Sequence, residues 1–365
     1  MTEVPFLDLS ALHATLRAEL HAAFDRVVEG PTLILGPELD AFEAELADQV
    51  GAAHAIGVGN GFDALHLALR ALGIGPGDEV LVPSNTYVAT WLSVSATGAR
   101  PVGVEPEPST HNLDPSLLDR AFTPRTRAVV PVHLYGRPAD MPAIEAWARS
   151  REVAVVADGA QAHGARLHGR PVGAYGRATA WSFYPTKNLG ALGDGGAVTT
   201  DDPELAARVR ALRSYGAPEP GRNEVLGVNS RLDELQAALL RVKLPHLDAW
   251  NQARRVRAER YLVELADTEL ALPELTDGVE PVWHQFVVGS RHRDQLRHRL
   301  AARGIETMVH YPVPPFAQPV YASAHDPGAF PVARRLAAEV VSLPISPSLT
   351  EEQQSAVIAA LRDGA

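Results

Sequence analysis

Between about residues 50 and 200 the chain alternates short, nearly unbroken apolar runs with stretches in which apolar side chains return every three or four positions. Residues 80–83, 101–104, 128–132, 153–157 and 178–183 have the length and β-rich content of strands buried on both faces. Residues 141–150, with Met141, Ile144 and Trp147 apolar, predict a helix between two of them. Another is predicted after Gly61, where Phe62, Leu65, Leu69 and Leu72 form one stripe and Gly73 supplies the stop. Strands and helices in alternation predict an α/β fold with a mainly parallel central sheet flanked by helices. Ligands in such sheets gather at the carboxyl ends of the strands.

Residues from about 230 to 260 also read as helical. Leu232, Leu235, Leu239 and Val242 fall three and four apart, and Pro245 ends or kinks the helix. A smaller α+β region follows, with a strand at 281–288, a helix at 293–303 ending at Gly304, and an ordered, turn-rich, proline-dense loop at 312–319. The expected division is an N-terminal arm and large domain, 1–245, and a small C-terminal domain, 246–365.

Composition narrows the class. A formal charge of −11 with no long basic run argues against nucleic acid or an anionic membrane as partner. The absence of cysteine excludes disulfides and thiolate metal sites and is compatible with the cytoplasm. The N-terminus carries acids early and no long apolar core, so no signal peptide is expected, and no apolar run approaches the roughly 18 residues of a membrane span.

Candidate chemistry begins with rarity. Of the 33 lysines and arginines only Lys187 and Lys243 are lysines. An amine can lose its proton and condense with a carbonyl, whereas a guanidinium cannot. Lys187 follows the aromatic run Trp181-Ser182-Phe183-Tyr184 and precedes Gly190, Gly193, Gly195 and Gly196, which marks it as the reactive candidate. Lys243, inside a helical run, reads as the leftover surface lysine.

Gly57-Val58-Gly59-Asn60-Gly61-Phe62 misses the dinucleotide fingerprint because Phe62 stands where Gly or Ala is needed. A glycine turn opening onto a helix N-terminus is still a competent phosphate site, although a plain tight turn explains it equally well. Asp158 ends a buried strand ahead of Gly159-Ala160-Gln161-Ala162-His163-Gly164. It can hold a cationic ring nitrogen or simply cap a turn. His163 and His168 lack metal-ligand spacing, and no metal site is expected. A phosphate turn, a strand-end carboxylate and a lysine 29 positions after it are the three things pyridoxal phosphate requires.

With these residues in place the chain resembles the DegT/DnrJ/EryC1/StrS sugar aminotransferases over essentially its whole length. The matching segments are Pro5-Phe6-Leu7-Asp8-Leu9, Leu35-Gly36-Pro37-Glu38-Leu39, Gly59-Asn60-Gly61, Gly75-Pro76-Gly77-Asp78-Glu79-Val80 and Pro131-Val132-His133-Leu134-Tyr135-Gly136. Residues 158–164, 182–190 and 229–237 complete the set. The resemblance implies the type I pyridoxal-phosphate fold and a role for each matching position. Lys187 would carry the cofactor and shuttle a proton, Asp158 would face the ring nitrogen and Gln161 the ring hydroxyl, and Tyr87 would stack on the ring. The amides of Gly61 and Phe62 and the Ser182 hydroxyl would bind the phosphate, with Asn229 reaching it from the second subunit of a homodimer. His310, Tyr311 and Tyr184 would lie near the sugar, and Arg222 and Arg231 are candidates for the diphosphate. Thr186, where glycine is usual, would strain a positive φ, and Gly159 stands where alanine is usual.

The expected activity is transamination of a dTDP-linked 3-oxo-6-deoxyhexose from an amino acid donor, glutamate first, with pyridoxamine phosphate as the alternate cofactor form. The 4-oxo isomer is the alternative. A dehydratase of the same family would carry histidine in place of Lys187. A cofactor-sensing regulator and a nicotinamide oxidoreductase are the readings from other classes.

Overall fold

The computed structural model describes residues 3–219, 221–324, 326 and 328–363. Met1 and Thr2, the start of the segment read as lacking a signal peptide, lie outside them. Seven strands form the central sheet: β1 (His54–Val58), β2 (Glu79–Pro83), β3 (Arg100–Val104), β4 (Thr126–Val129), β5 (Ala154–Asp158), β6 (Ala178–Ser182) and β7 (Gly196–Thr200). Their order is β1-β7-β6-β5-β4-β2-β3. Only β7 runs against its neighbours, so β1, β2, β5 and β6 deliver their carboxyl ends to one edge.

Strand alternation sorts the core into layers. Val156 of β5 joins Ile56, Val80, Val82, Trp91, Ala180 and Val198 on one face. That face is covered by α4 (Gly61–Ala71), α5 (Val88–Ala96) and α7 (Pro203–Arg213). Val155 and Ala157 turn to the other side, towards Met141, Ile144 and Ala148 of α6 (Met141–Arg151). Beyond β6, helix α3 (Pro37–Val50) and α8 (Glu234–Lys243) bury Phe42, Leu46 and Leu240 with Trp181 and Phe183. The arm helices α1 (Leu9–Thr15) and α2 (Arg17–Glu29) lead into this layer, α2 packing on α8. A separate apolar cluster gathers Tyr261 of α9 (Leu247–Glu264), Phe286 of β8 (Phe286–Gly289), Leu300 of α10 (Arg293–Ala301), Leu343 of β9 (Val340–Leu343) and Val357 of α12 (Glu351–Arg362). Helix α11 (Pro331–Glu339) leads into β9.

Four expectations need correction. The strand expected at 281–288 forms only at 286–289, because Trp283 takes a left-handed φ of 47° and the backbone there bonds to the 135–136 turn instead. The helix expected across 230–260 begins later, at Glu234; the break expected at Pro245 is present as a 3-10 turn at Leu244–His246, after which the chain resumes as α9. Helix α10 stops at Ala301, ahead of Gly304, whose φ is 75°. Lys243 is 2% exposed, not a surface lysine; its hydrogen bonds are taken up below.

Candidate active site

Asp158 is the last residue of β5 and is buried. Its two oxygens are divided: one accepts from the Ala160 amide at 3.1 Å and the other from the Thr90 hydroxyl at 2.9 Å. The turn-capping role and the site-facing role therefore coexist on one side chain. Burial raises its pKa, and the hydrogen bonds and the Lys187 ammonium oppose that rise. Such a carboxylate favours a cationic partner. A Cβ at Gly159 would come within 2.8 Å of Thr179 and 2.9 Å of Trp181, so the absence of a side chain there lets the turn pass over β6.

The glycine turn after β1 builds the neighbouring corner. Asn60 caps α4 by accepting from the Asp63 amide at 2.9 Å. The amides of Gly61 and Phe62 precede the first intrahelical donor, Ala64, and carry the positive end of the helix. A Cβ on Gly61 would come within 2.5 Å of the Ser182 Cβ, which places the end of β6 directly against this turn.

Lys187 rides on a tight excursion that leaves β6 and closes where the Ala191 amide donates to the Phe183 carbonyl at 2.8 Å. Its own amide donates to the Tyr184 carbonyl at 2.8 Å. Thr186 is not among the residues of positive φ, so its branched side chain brings no backbone strain. The Lys187 side chain is half-buried, and desolvation lowers its pKa to about 8, with Asp158 pulling the other way. An amine in that range has an appreciable neutral fraction near neutral pH.

An aromatic wall closes the edge. Tyr87, on the residue that caps α5, lies 5.2 Å from the Tyr311 ring. Gln161 accepts from the Tyr135 amide at 2.5 Å and donates to the Tyr311 hydroxyl at 2.9 Å. Tyr135 in turn donates to the His310 carbonyl, and His310 meets the Ser342 hydroxyl at 2.7 Å. Burial and the nearby Lys187 lower the His310 pKa to about 4, so its ring is neutral.

Sequence reasoning missed three supports. Thr90 lies one helical turn after Tyr87 and holds Asp158. Asn188 donates to Asn251 at 2.8 Å and to the Val282 carbonyl at 2.9 Å, so its oxygen must accept from His284 Nδ1, 3.1 Å away. That assignment fixes the His284 tautomer. Burial, reinforced by Lys187, holds the His284 pKa well below its ordinary value. The adjacency of Asn188 to Lys187 was the available signal.

Other expected residues stand apart. Tyr184 is exposed. Asn229 is exposed, while its neighbour Ser230 accepts from the Gly59 amide at 2.9 Å and donates to Asp63 at 2.6 Å. Arg222 pairs with Glu224 at 2.8 Å, and Arg231 lies over the Tyr215 ring. Among the described residues no hydrogen bond or ion pair joins Asn229, Arg222 or Arg231 to Asp158, Gln161 or Lys187.

The residues present fit pyridoxal phosphate: an open amide pair beside a hydroxyl for the phosphate, a buried carboxylate for a ring cation, and a desolvated amine for the aldehyde. The chain is also similar to known proteins over nearly its whole length. The profile of the DegT/DnrJ/EryC1/StrS aminotransferase family matches residues 14–362. A dTDP-3-amino-3,4,6-trideoxy-α-D-glucose transaminase of Streptomyces venezuelae is 54% identical over 364 residues, covering 99% of this chain and 96% of that protein. The erythromycin biosynthesis sensory transduction protein EryC1 of Saccharopolyspora erythraea is 53% identical over the whole of both chains. The crystal structure of S. venezuelae DesV in complex with a ketimine intermediate superposes with a TM-score of 0.98 at 53% identity, covering 100% of this chain and 99% of that one. The chain belongs to the DegT/DnrJ/EryC1/StrS aminotransferase family.

Proposed function

We propose that the protein is a pyridoxal-phosphate-dependent aminotransferase that converts a dTDP-linked 3-oxo-6-deoxyhexose to its 3-amino sugar in deoxyamino-sugar biosynthesis, with an amino acid, glutamate first, as donor. The observation that carries the reading is the convergence of Asp158, Lys187 and the Gly61–Ser182 corner on one edge of the sheet. The likeness to the S. venezuelae 3-amino-sugar transaminase supports amination at the 3-position. The EryC1 name supports antibiotic biosynthesis.

Pyridoxal phosphate, when bound, supplies an electron-withdrawing ring that acidifies the carbon bearing the amine. The chain's own residues do the rest. Asp158 would keep a proton on the ring nitrogen, and Thr90 fixes that carboxylate. Lys187 takes and returns the proton at the carbon that gains or loses nitrogen. Gly61, Phe62 and Ser182 would hold the phosphate, Tyr87 would cover the ring, and Gln161 would face its hydroxyl. His310, Tyr311 and Tyr184 orient the sugar.

The active unit on this reading is a homodimer in which Asn229 completes the partner's phosphate site, with Arg222 and Arg231 serving the diphosphate. Exposed Phe24, Val28, Leu33, Leu35, Tyr215, Val225 and Leu226 support such an interface. We further assign the division of the chain at residue 245 and a cytoplasmic location. The absence of cysteine is compatible with that location, and no described helix is long and apolar enough to cross a membrane.

The test is borohydride reduction of the cofactor-loaded protein followed by turnover on paired 3-oxo and 4-oxo sugar nucleotides. The parent should retain cofactor covalently and Lys187→Ala should not. Preference for the 4-oxo sugar would overturn the regiochemistry alone. Cofactor bound covalently in Lys187→Ala would overturn the site. Binding without any turnover would favour a regulatory role, which the EryC1 name invites.

A further inference from the structure

Lys243 is the second of the chain's two lysines and one of its most deeply buried side chains. Its ammonium donates to the Gly190 carbonyl at 2.6 Å and meets His13 Nε2 at 3.1 Å. An ammonium has donors only, so His13 must accept and is neutral. Burial and the adjacent Lys243 both lower the His13 pKa, in keeping with that assignment. No carboxylate pairs with this ammonium among the described residues. A buried charge without a counterion is costly, and its retention calls for a geometric reason.

The reason lies in what Gly190 does. The excursion that carries Lys187 folds back so tightly at Gly190 that a side chain there would run into the Pro185 carbonyl. The next residue, Ala191, closes the excursion onto Phe183. The far side of the same excursion is pinned through Asn188 to Asn251 and Val282. The Lys187 excursion is thus held at two points, by a neutral amide network on one flank and by a single ammonium on the other. That ammonium stands at the end of α8 and also touches the arm helix α1.

We propose that Lys243 is a positioning residue for catalysis: by holding the Gly190 carbonyl it fixes the height and orientation of the loop that presents Lys187. The inference deepens the aminotransferase reading and rests on it for the consequence to turnover. A guanidinium is broader and planar, which explains why lysine survives here in a chain otherwise converted to arginine. Displacement of Lys187 by about an ångström is of the size that costs on the order of a hundredfold in rate.

The experiment begins without cofactor or substrate, so that a wrong acceptor sugar cannot affect it. Backbone amide exchange is followed in the cofactor-free parent and in Lys243→Met. Peptides spanning 183–195 should exchange at least tenfold faster in the variant, with peptides from β8 and β9 unchanged. In the loaded enzyme kcat should fall by about tenfold to a hundredfold while KM for donor and acceptor stays within twofold. Aminoethylation of Lys243→Cys, the sole thiol in such a chain, carried out in denaturant before refolding and verified by mass, restores an ammonium of nearly the same reach and should restore kcat, with identically treated parent as control. Unchanged loop exchange and kcat within twofold in a folded variant would overturn the proposal. So would a kcat loss that aminoethylation fails to recover. Should Lys243→Met fail to fold, Lys243→Gln is read by the same criteria.

Discussion

The carboxyl edge of the central sheet and the surface segment 215–231 are both rich in polar side chains, yet they are held in opposite ways. At the edge, Asp158, Gln161 and Asn188 are buried and each makes two or more hydrogen bonds to fixed partners. In the surface segment, Arg222 and Asn229 face solvent beside Leu226, which is 87% exposed. Its two arms nevertheless pack closely, with Gly216 and Gly227 too near each other to admit a side chain on either. The edge acquires its reacting geometry when one chain folds. Backbone packing at Gly216 and Gly227 orders the segment but leaves Arg222, Leu226 and Asn229 outward, which suits a surface completed by a second copy. Mutations should therefore act on different quantities in the two regions: rate at the edge, affinity at the segment.

The largest effect is expected at the edge. Asp158→Asn should bind cofactor but turn over on the order of a hundredfold or more slowly, because it removes a focused charge from a buried site. KM for the sugar nucleotide should stay near the parent value. Near-normal kcat would mean another group faces the ring nitrogen and would remove the basis for treating the edge as the rate-determining region.

Asn229→Ala tests the segment. Loss of one hydrogen bond to a phosphate should weaken cofactor binding by roughly tenfold, in line with charged hydrogen bonds elsewhere. In a mixed dimer with Lys187→Ala subunits, the lost affinity should appear in the subunit opposite the altered asparagine. An affinity defect confined to the same subunit would break the two-region division, as would a fully active monomer in sedimentation.

Lys187 supplies a pH test specific to the buried region. Its pKa is lowered to about 8, so the amine is mostly protonated at pH 7 and mostly neutral at pH 9. The rate of covalent cofactor loading onto cofactor-free protein should rise about tenfold over that interval and level off above it. The same shift favours the folded state as pH rises from about 8 towards the ordinary lysine value, since the unfolded chain then binds more protons. A loading rate still climbing steeply at pH 10 would place Lys187 in a more solvated setting.

Much of the edge was legible in the sequence because a strand end, a glycine turn opening onto a helix and a rare lysine are local signals. Asp158 followed a continuous apolar run, and Gly61 opened onto the apolar stripe of a helix. The supports were less visible. Lys243 falls four residues after Leu239, on the buried stripe of α8, but a charged residue there was read as outward-facing by chemical type alone. Trp283 interrupts an otherwise strand-like run through a left-handed φ that no pattern of hydrophobicity encodes. Thr90 serves Asp158 across 68 positions of sequence, a pairing fixed by the parallel stacking of β2 and β5 about β4.

The smallest effect is expected at Arg222, and it separates the two regions most cleanly. Its side chain is 72% exposed and already paired with Glu224. Exposed ion pairs are weak and screened by salt. Arg222→Ala should therefore raise KM for the sugar nucleotide only about threefold in dilute buffer, leave kcat unchanged, and lose its effect near roughly 0.5 M salt. Asp158→Asn should show no such salt dependence, since Asp158 and its partner Thr90 are buried. A rise in KM of a hundredfold that persists in high salt would show that Arg222 is desolvated against the substrate in the assembled enzyme. In that case the surface segment would have to be treated, like the sheet edge, as part of a buried site, and its exposure in the single chain would describe only the state before assembly.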